Sequence, residues 1–318
     1  MLQYGSAVHP DESVTTYTLV VNPVAGKGHA ARLIRPLRLE FERRGIEFTL
    51  IETHAPGDAT SAARDAVTSV VVAVGGDGTL NEVANGLAGS SKALGIIPAG
   101  SGNDFIKSIG ITRNVQNAVE VLLRGARRRI DLGKVVCSEG NAPQGRLFIN
   151  GVGVGFDAAV AVRTRSIPYL SGTALYIAGV LQTLAHYTPP EFHLSMNHTS
   201  VSSSNLLIAI GNGRCAGGGF YLTPDAQVDD GLFDICVIEK KTVPEIIRLM
   251  PRVMRGKHFD IPGVKFFKEK RLHIFADSEF SVHADGEIIG EGVHEVALEV
   301  MPAALDIIAP EAGNLNTK

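Results

Sequence analysis

The chain has 318 residues, with 30 Lys and Arg against 33 Asp and Glu, a formal charge of −3. Its 45% hydrophobic and 20% charged residues supply a sizeable core and exclude disorder along the whole chain. The near-neutral balance excludes a chain-wide basic field, so no nucleic-acid partner is expected.

At roughly 150 residues per domain, the length suggests two domains. Cys137, Cys215 and Cys236 are far apart with no CxxC pair, so neither a disulfide framework nor a zinc site is expected, and a reducing compartment fits. The first thirteen residues are polar and lack an apolar signal core. No run approaches ~18 apolar residues. The expectation is a soluble, cytoplasmic protein without a transmembrane segment, open to peripheral contact with the inner face of the membrane. The sequence is compatible with a homodimer but does not select one. Glycine is the outlier: 35 residues, where ordinary usage of ~7% would give about 22. There is no G-X-Y repeat, so the surplus has to sit in particular turns.

In chain order, residues 17–22 read as a buried strand and 28–44 as a helix with an apolar stripe at Leu33, Leu37 and Phe41. A second strand is predicted over 46–52, a short helix over 58–67, a buried strand over 69–74, a helix from 80 to 87 and a strand over 93–97. Strands alternating with helices imply a parallel sheet covered on both faces, whose ligands bind beyond the carboxyl ends of the strands. From about Ile130 strand patterns dominate: 129–136, 146–154, 192–196, 206–211, 231–238, 271–276 and 280–284. Two helical inserts, 170–187 and 243–255, interrupt them. The fold class is therefore α/β plus all-β. An α/β domain with a parallel sheet is predicted over 1–130, completed by a returning tail at 300–318, and a β-sandwich over 131–299.

Much of the glycine surplus falls in three turns at the strand ends of the first domain. NPVAGKG (22–28) follows a strand and opens a helix, where backbone N–H groups and the helix dipole suit phosphate oxygens. It is not a Walker A loop, and an ordinary strand-to-helix turn explains it equally well. GGDGTLNE (75–82) adds a carboxylate, Asp77, and a hydroxyl, Thr79, to such a turn. PAGSGNDF (98–105) brings Ser101, Asn103 and Asp104 to the same sheet edge. A helix cap at Asp104 is the alternative use. Three such loops on one edge form a phosphate cleft.

These blocks, GGDGTLNEVANGL and PAGSGNDFIKSIGI above all, resemble the diacylglycerol kinase catalytic-domain family, which includes bacterial soluble lipid kinases. GGDGT alone also occurs in the more distantly related NAD kinases and in phosphofructokinases. The resemblance continues through IDLGKV, FINGVGVGFDA, GNGRCAGGGFYLTPDAQVDDGLFDICVI and HADGE, and covers about residues 17–309. It implies a two-domain kinase with ATP in the cleft between the domains.

The resemblance carries roles onto matching positions. The glutamate of DGE, here Glu287, is implied as general base, taking the proton of a lipid hydroxyl as it attacks the γ-phosphate. An exposed glutamate after an Asp-Gly hairpin turn is the plainer reading of the same residues. Nucleotide contacts carry over to Asn22, Pro23, Val24, Ala25 and Gly26, to Thr53, to Gly76, Asp77, Gly78, Thr79, Leu80, Asn81 and Glu82, and to Ser101. Ser101 stands where threonine is commoner and Ala25 where serine is frequent. Asp77, Asp104 and Asp131 match carboxylates that position a catalytic Mg²⁺. A second, structural Mg²⁺ is implied at Gln227, Asp230 and Leu232, the first and last through backbone carbonyls; a solvated loop is the alternative.

Two segments bear on lipid. Residues 170–187 are apolar on most faces, with Leu175, Ala178 and Leu181 on one stripe; they suit an acyl-chain pocket or a core helix. Residues 248–271 hold eight Lys and Arg against Asp260 and Glu269, with Phe259, Phe266 and Phe267 interleaved. That pattern suits anionic lipid or a solvated face. The expected function is ATP-dependent transfer of phosphate to a lipid hydroxyl, most simply diacylglycerol to phosphatidic acid, with the lipid taken at the membrane surface. The alternatives are another acceptor (a sphingoid base, phosphatidylglycerol or NAD) or a non-catalytic nucleotide- or lipid-binding protein.

Overall fold

The structure is a computed structural model, and it describes residues 16–138, 144–164, 167, 172–184, 187–197 and 199–310. The expectations for 1–15 and 311–318, and for part of the 170–187 segment, lie outside the described residues.

The elements follow in the order β1 (Tyr17–Val21), α1 (Ala25–Arg43), β2 (Phe48–Glu52), α2 (Asp58–Asp65), β3 (Val70–Gly75), α3 (Asp77–Leu87), β4 (Ala93–Pro98), α4 (Ile106–Ile109), α5 (Val115–Arg124), β5 (Arg127–Cys137), β6 (Gln144–Phe148), β7 (Gly151–Gly155), α6 (Phe156–Thr164), α7 (Gly172–Leu184), β8 (Glu191–Met196), β9 (Ser200–Gly211), β10 (Phe233–Glu239), α8 (Val243–Val253), β11 (Val264–Glu269), β12 (Arg271–Ala284) and β13 (Glu287–Ile308).

β1, β3 and β4 are buried at every position because both faces are covered, whereas β2 lies at the sheet edge and is partly exposed. Val20, Val71, Ala73, Leu94 and Ile96 face one core, with Val83 and Leu87 of α3 and Ala59 and Ala63 of α2. Their neighbours Leu19, Val21, Val70, Val72, Val74 and Ile97 face the other, with Leu37 and Phe41 of α1. A period of two along each strand therefore feeds two separate helical layers.

The expectation of a separate, purely parallel sheet is corrected. β1–β2, β1–β3, β3–β4 and β4–β13 pair in parallel. The sheet does not stop there, and every other pairing is antiparallel. All belong to one mixed sheet of 13 strands. The physical link is β13, whose 22 residues run from the C-terminal strands back to β4. There Asp306 lies opposite Ala93 and Ile307 opposite Leu94, so the apolar tail returns to the first strands as its composition suggested. The C-terminal strands enclose a second core around Val154, Phe192, Ile208, Phe233, Ile274 and Val296. Their outer face is covered by α6, α7 and α8 through Phe156, Val180, Ile246 and Leu249.

Two strand expectations are also corrected. The predicted 146–154 strand is broken into β6 and β7, because the backbone N–H groups of Ile149, Asn150 and Gly151 turn toward the carboxylate of Asp285. The predicted 271–276 and 280–284 strands are one, β12.

Candidate active site

The three glycine turns touch one another. Gly26, Lys27 and Gly28 all have left-handed φ, at 59°, 56° and 79°, so the regular part of α1 starts after them, one residue beyond the predicted start at Gly28. A side chain at Gly26 would overlap the carbonyl oxygen of Ala99. Gly76 and Gly100 meet backbone to backbone; a Cβ on Gly76 would lie 3.1 Å from Gly100 Cα. The NPVAGKG and GGDGT turns thus both rest on PAGSG, and the glycines are what allow it.

Asp77 opens α3, where the helix dipole favours a negative charge. Its Oδ1 accepts the backbone N–H groups of Asp104 (2.8 Å) and Phe105 (3.3 Å). Its Oδ2 points over Gly102: a Cβ there would lie 2.9 Å from Asp77 Oδ2 and 3.7 Å from Asp104 Oδ2. Burial, then the neighbouring charge of Asp104, pushes the Asp77 carboxyl up to about 6. Asp104 is itself buried and pairs with Lys107 Nζ at 2.6 Å, while its Oδ2 accepts the Gly218 N–H at 2.6 Å. Two carboxylates that share an open space, the charge of Asp104 raising the proton affinity of Asp77, fit a divalent cation. Among the described residues no group of three or more His, Cys, Asp and Glu converges as a metal cluster.

The DGE turn supplies the opposite wall. Ala284 pairs with Glu287 across a two-residue turn, and Asp285 and Gly286 have φ of 49° and 83°, the geometry of a tight hairpin. Asp285 accepts from the backbone of Ile149, Asn150 and Gly151 at 2.8–3.0 Å and from the Asn81 amide. Burial raises its pKa against those donors. Glu287 ion-pairs with Arg146 of β6, and its Oε1 reaches toward Gly78: a Cβ on Gly78 would lie 4.0 Å away.

Between the walls lies a cavity of about 250 Å³. Asp77, Asp104, Asp285, Asp157 and His283 line its polar part, and Val152, Ala161, Leu175, Ala209, Ile210 and Leu222 its apolar part. Of the stripe predicted on the 170–187 segment only Leu175 lines the cavity; Leu181 is exposed. A second, open groove of about 580 Å³ runs along Gly26, Ala99, Gly100 and Ser101 and carries Lys27, His29, Arg32 and Arg113.

Other predicted positions behave differently. Thr53 is buried at the end of β2, and its N–H donates to Val21 O at 2.9 Å, next to Asn22. The Asn22 side chain accepts the Val24 N–H at 3.3 Å, shaping the turn that holds Pro23 and Ala25. Thr79 buries its hydroxyl with no hydrogen-bond partner. Leu80 packs in the core, which leaves only its backbone for the turn. Glu82 accepts the N–H groups of Gly57 (3.1 Å) and Ala59 (3.2 Å) and so caps α2 instead of facing the cleft. Asn81 bonds across the walls to Asp285.

The structure does not bring Asp131 to Asp77 and Asp104. Its two oxygens accept the N–H groups of Gly231 and Ala303, each at 2.7 Å, so it fastens the 228–231 loop to β13. At the implied second metal site, Asp230 Oδ2 is 3.1 Å from Lys268 Nζ, and Oδ1 accepts the Leu232 N–H at 3.0 Å. Lys268 also pairs with Asp234 at 2.9 Å. Its ammonium is thus the cation seen beside Asp230, one of the three positions, with Gln227 and Leu232, at which the resemblance implies a metal.

Sequence reading missed Arg146, Lys107 and the buried group of Asp157, Tyr176 and His283. Only HADGE and FDA, already in view, held part of that signal; the side chains meet from separate elements.

Residues 16–135 match the family described as diacylglycerol kinase catalytic domain, and residues 150–309 match the YegS C-terminal NAD kinase beta sandwich-like domain. A diacylglycerol kinase of Mycobacterium tuberculosis is 30% identical over 301 residues, covering 93% of this chain and 96% of its own. The chain belongs to the diacylglycerol kinase family. One of Bacillus subtilis is 30% identical over 280 residues, 86% of this chain and 89% of its own. A solved diacylglycerol kinase structure from Bacillus anthracis str. Sterne shares the fold, with a TM-score of 0.68 at 21% identity over 95% of this chain and 99% of that one. Membership makes the chain a kinase and implies use of a nucleotide. Among the described residues no helix is long and apolar enough to cross a membrane.

Proposed function

We propose that the chain is an ATP-dependent lipid kinase that transfers the γ-phosphoryl group to a lipid hydroxyl, most simply that of diacylglycerol, giving phosphatidic acid and ADP. The observation that carries this reading is the position of Glu287. Its carboxylate reaches toward Gly78 in the first turn of α3, across from the glycine turns and beside a largely apolar cavity.

The turns at Asn22–Gly26, Gly76–Thr79 and Gly100–Ser101 cradle the phosphates with backbone N–H groups. Thr53, at the end of β2, borders the same edge. Lys27, Arg32 and Arg113 add positive charge along the open groove. Asp77 and Asp104 hold Mg²⁺, which when bound neutralises charge on the phosphates. The acceptor's acyl part lies along Val152, Leu175, Ile210 and Leu222. Its hydroxyl oxygen attacks phosphorus, the bond to the β-phosphate oxygen breaks, and the hydroxyl proton passes to Glu287. Arg146 keeps the Glu287 carboxylate aimed.

The lipid is taken at a membrane surface through the outer face of α8. Val243, Ile247 and Phe259 are 46%, 51% and 47% exposed, an uncommon outlay of apolar area. Arg248 and Arg255 are exposed beside them. Lys257 and Lys270 are exposed as well, and four cations of the basic segment are engaged: Arg252 with Asp260, Lys265 with Glu239, Lys268 with Asp230 and Asp234, Arg271 with Glu299.

The direct experiment is ADP release and labelled-lipid formation with purified protein, MgATP and a panel of diacylglycerol, sphingoid base and phosphatidylglycerol in micelles. Turnover of at least one lipid that Glu287→Gln abolishes, with ATP binding retained, is the expected result. A folded protein that turns over none of them would sink the reading.

A further inference from the structure

The turn that presents Glu287 is held on its inner side by a buried chain of hydrogen bonds. The Gly286 N–H donates to His283 Nδ1 at 3.3 Å. With Nδ1 accepting, the neutral ring carries its proton on Nε2, which lies 2.9 Å from Asp157 Oδ2. Asp157 Oδ1 accepts the Tyr176 hydroxyl. His283 and Asp157 are 7% and 3% exposed, and all three side chains line the cavity proposed for the acceptor.

Four elements make room for this chain. His283 ends β12, Asp157 begins α6 and Tyr176 belongs to α7. The fourth is β7, where Gly153 pairs with His283. A side chain at Gly153 would overlap both His283 Nε2 and Asp157 Oδ2, so the second glycine of GVGVG is the space the pair occupies. Tyr176 is pressed in turn against the backbone of Gly217, where an added Cβ would lie 2.8 Å from its ring. Burial by itself would raise the Asp157 carboxyl, and the hydrogen bonds it accepts from His283 and Tyr176 oppose that. Burial, then the Asp157 charge, keeps the Tyr176 hydroxyl protonated. Each donor and acceptor therefore has one assigned direction.

We infer that His283, fixed in its Nε2–H form by Asp157 and Tyr176, is a positioning residue for catalysis: it binds the Gly286 N–H and so sets the backbone from which Glu287 reaches toward Gly78. Glu287 is itself half exposed and ion-pairs with Arg146, so its aim depends on the turn behind it. The inference rests on the reading of Glu287 as general base.

Two substitutions separate the halves of the chain. His283→Asn keeps an acceptor near the Nδ1 position and gives up the bond to Asp157. His283→Gln keeps a donor near Nε2 and gives up the acceptor for Gly286. The inference expects His283→Gln to lower kcat about tenfold to a hundredfold, the scale of a small misplacement of a reacting group, with KM for ATP within about twofold. His283→Asn should retain more of kcat than His283→Gln. Equal kcat in both variants and wild type, or a parallel loss of kcat and ATP affinity, would overturn it. A second readout needs no turnover: ¹H–¹⁵N spectra of ¹⁵N-histidine-labelled wild type should show His283 protonated on Nε2 alone, and the Gly286 amide resonance should move in His283→Gln. A ring protonated on Nδ1, or an unmoved Gly286 amide, refutes the relay. If the wild type phosphorylates no lipid, the function proposed above fails, while these spectra still decide the hydrogen-bond chain.

Discussion

The side-chain amide of Asn81 donates to Asp285 Oδ2, joining residues 204 positions apart. One sits in the first helical turn after GGDGT and the other in the turn before Glu287, so a single hydrogen bond spans the two walls of the cleft. Asn81 Oδ1 is in turn held by Asn85.

Asn81→Ala should destabilise the protein by about 1–3 kcal/mol, the cost of leaving a buried polar partner short of a donor. Asp285→Ala should cost more, since it strips the acceptor from the N–H groups of Ile149, Asn150 and Gly151 together. Urea unfolding midpoints measure both. Near-equal midpoints for wild type and Asp285→Ala would show that the turn is not fastened this way.

The Asp77 carboxyl titrates near 6 in the folded chain and near its usual 3.8 unfolded. Between those values the folded state binds more protons, so the contribution of Asp77 is favourable at low pH and is lost as pH rises through about 4 to 6. Asp77→Asn removes that dependence. In metal-free protein its stability relative to wild type should therefore rise from pH 4 to pH 6.5, as measured by urea unfolding at each pH. A difference that stays constant across the window would contradict the assigned environment.

Gly26→Ala and Gly28→Ala form a matched pair. Both glycines have left-handed φ, but only at Gly26 does the new side chain overlap the PAGSG turn. Each should carry the left-handed penalty of roughly 1–2 kcal/mol. Gly26→Ala should in addition lower ATP affinity at least tenfold, because it pushes one phosphate turn off another. Calorimetric titration with MgATP distinguishes them, and equal affinities would show that contact between the turns is unimportant.

The α8 surface is testable apart from the chemistry. Ile247→Glu and Arg248→Glu should each weaken binding to vesicles of mixed phosphatidylglycerol and phosphatidylcholine by about tenfold, given the apolar area and ~1 kcal/mol per basic residue at stake. Turnover of a short-chain, water-soluble diacylglycerol should stay unchanged. Unaltered co-sedimentation with these vesicles would remove α8 from the docking surface.

The local pattern carried the N-terminal strands, helices and glycine turns, because backbone periodicity and φ > 0 leave marks in neighbouring residues. It located the start of regular α1 to within a residue, at Gly28, and the apolar tail that returns beside β4. Among the features that escaped it, three show why. The amphipathic stretch that forms α5 was passed over. The strand expected at 146–154 breaks only because a carboxylate from residue 285 captures three N–H groups at the break. Of β13 only the end, 304–309, is legible as a strand, because its alternation changes partner as the strand passes from β12 and β5 to β4.

For the site, sequence determined which residue types stand on the strand ends: the glycine turns, Asp77, Asp104 and the DGE turn. Tertiary structure alone decided what each of them touches. It turned Glu82 into a cap for α2, gave Asp131 to backbone N–H groups of Gly231 and Ala303, and placed Lys268 against Asp230. It also assembled Tyr176, Asp157 and His283 around the missing side chain of Gly153. A hydrogen bond or an ion pair depends on a separation of about 3 Å, and between residues some twenty to well over a hundred positions apart only the folded path of the chain sets that separation.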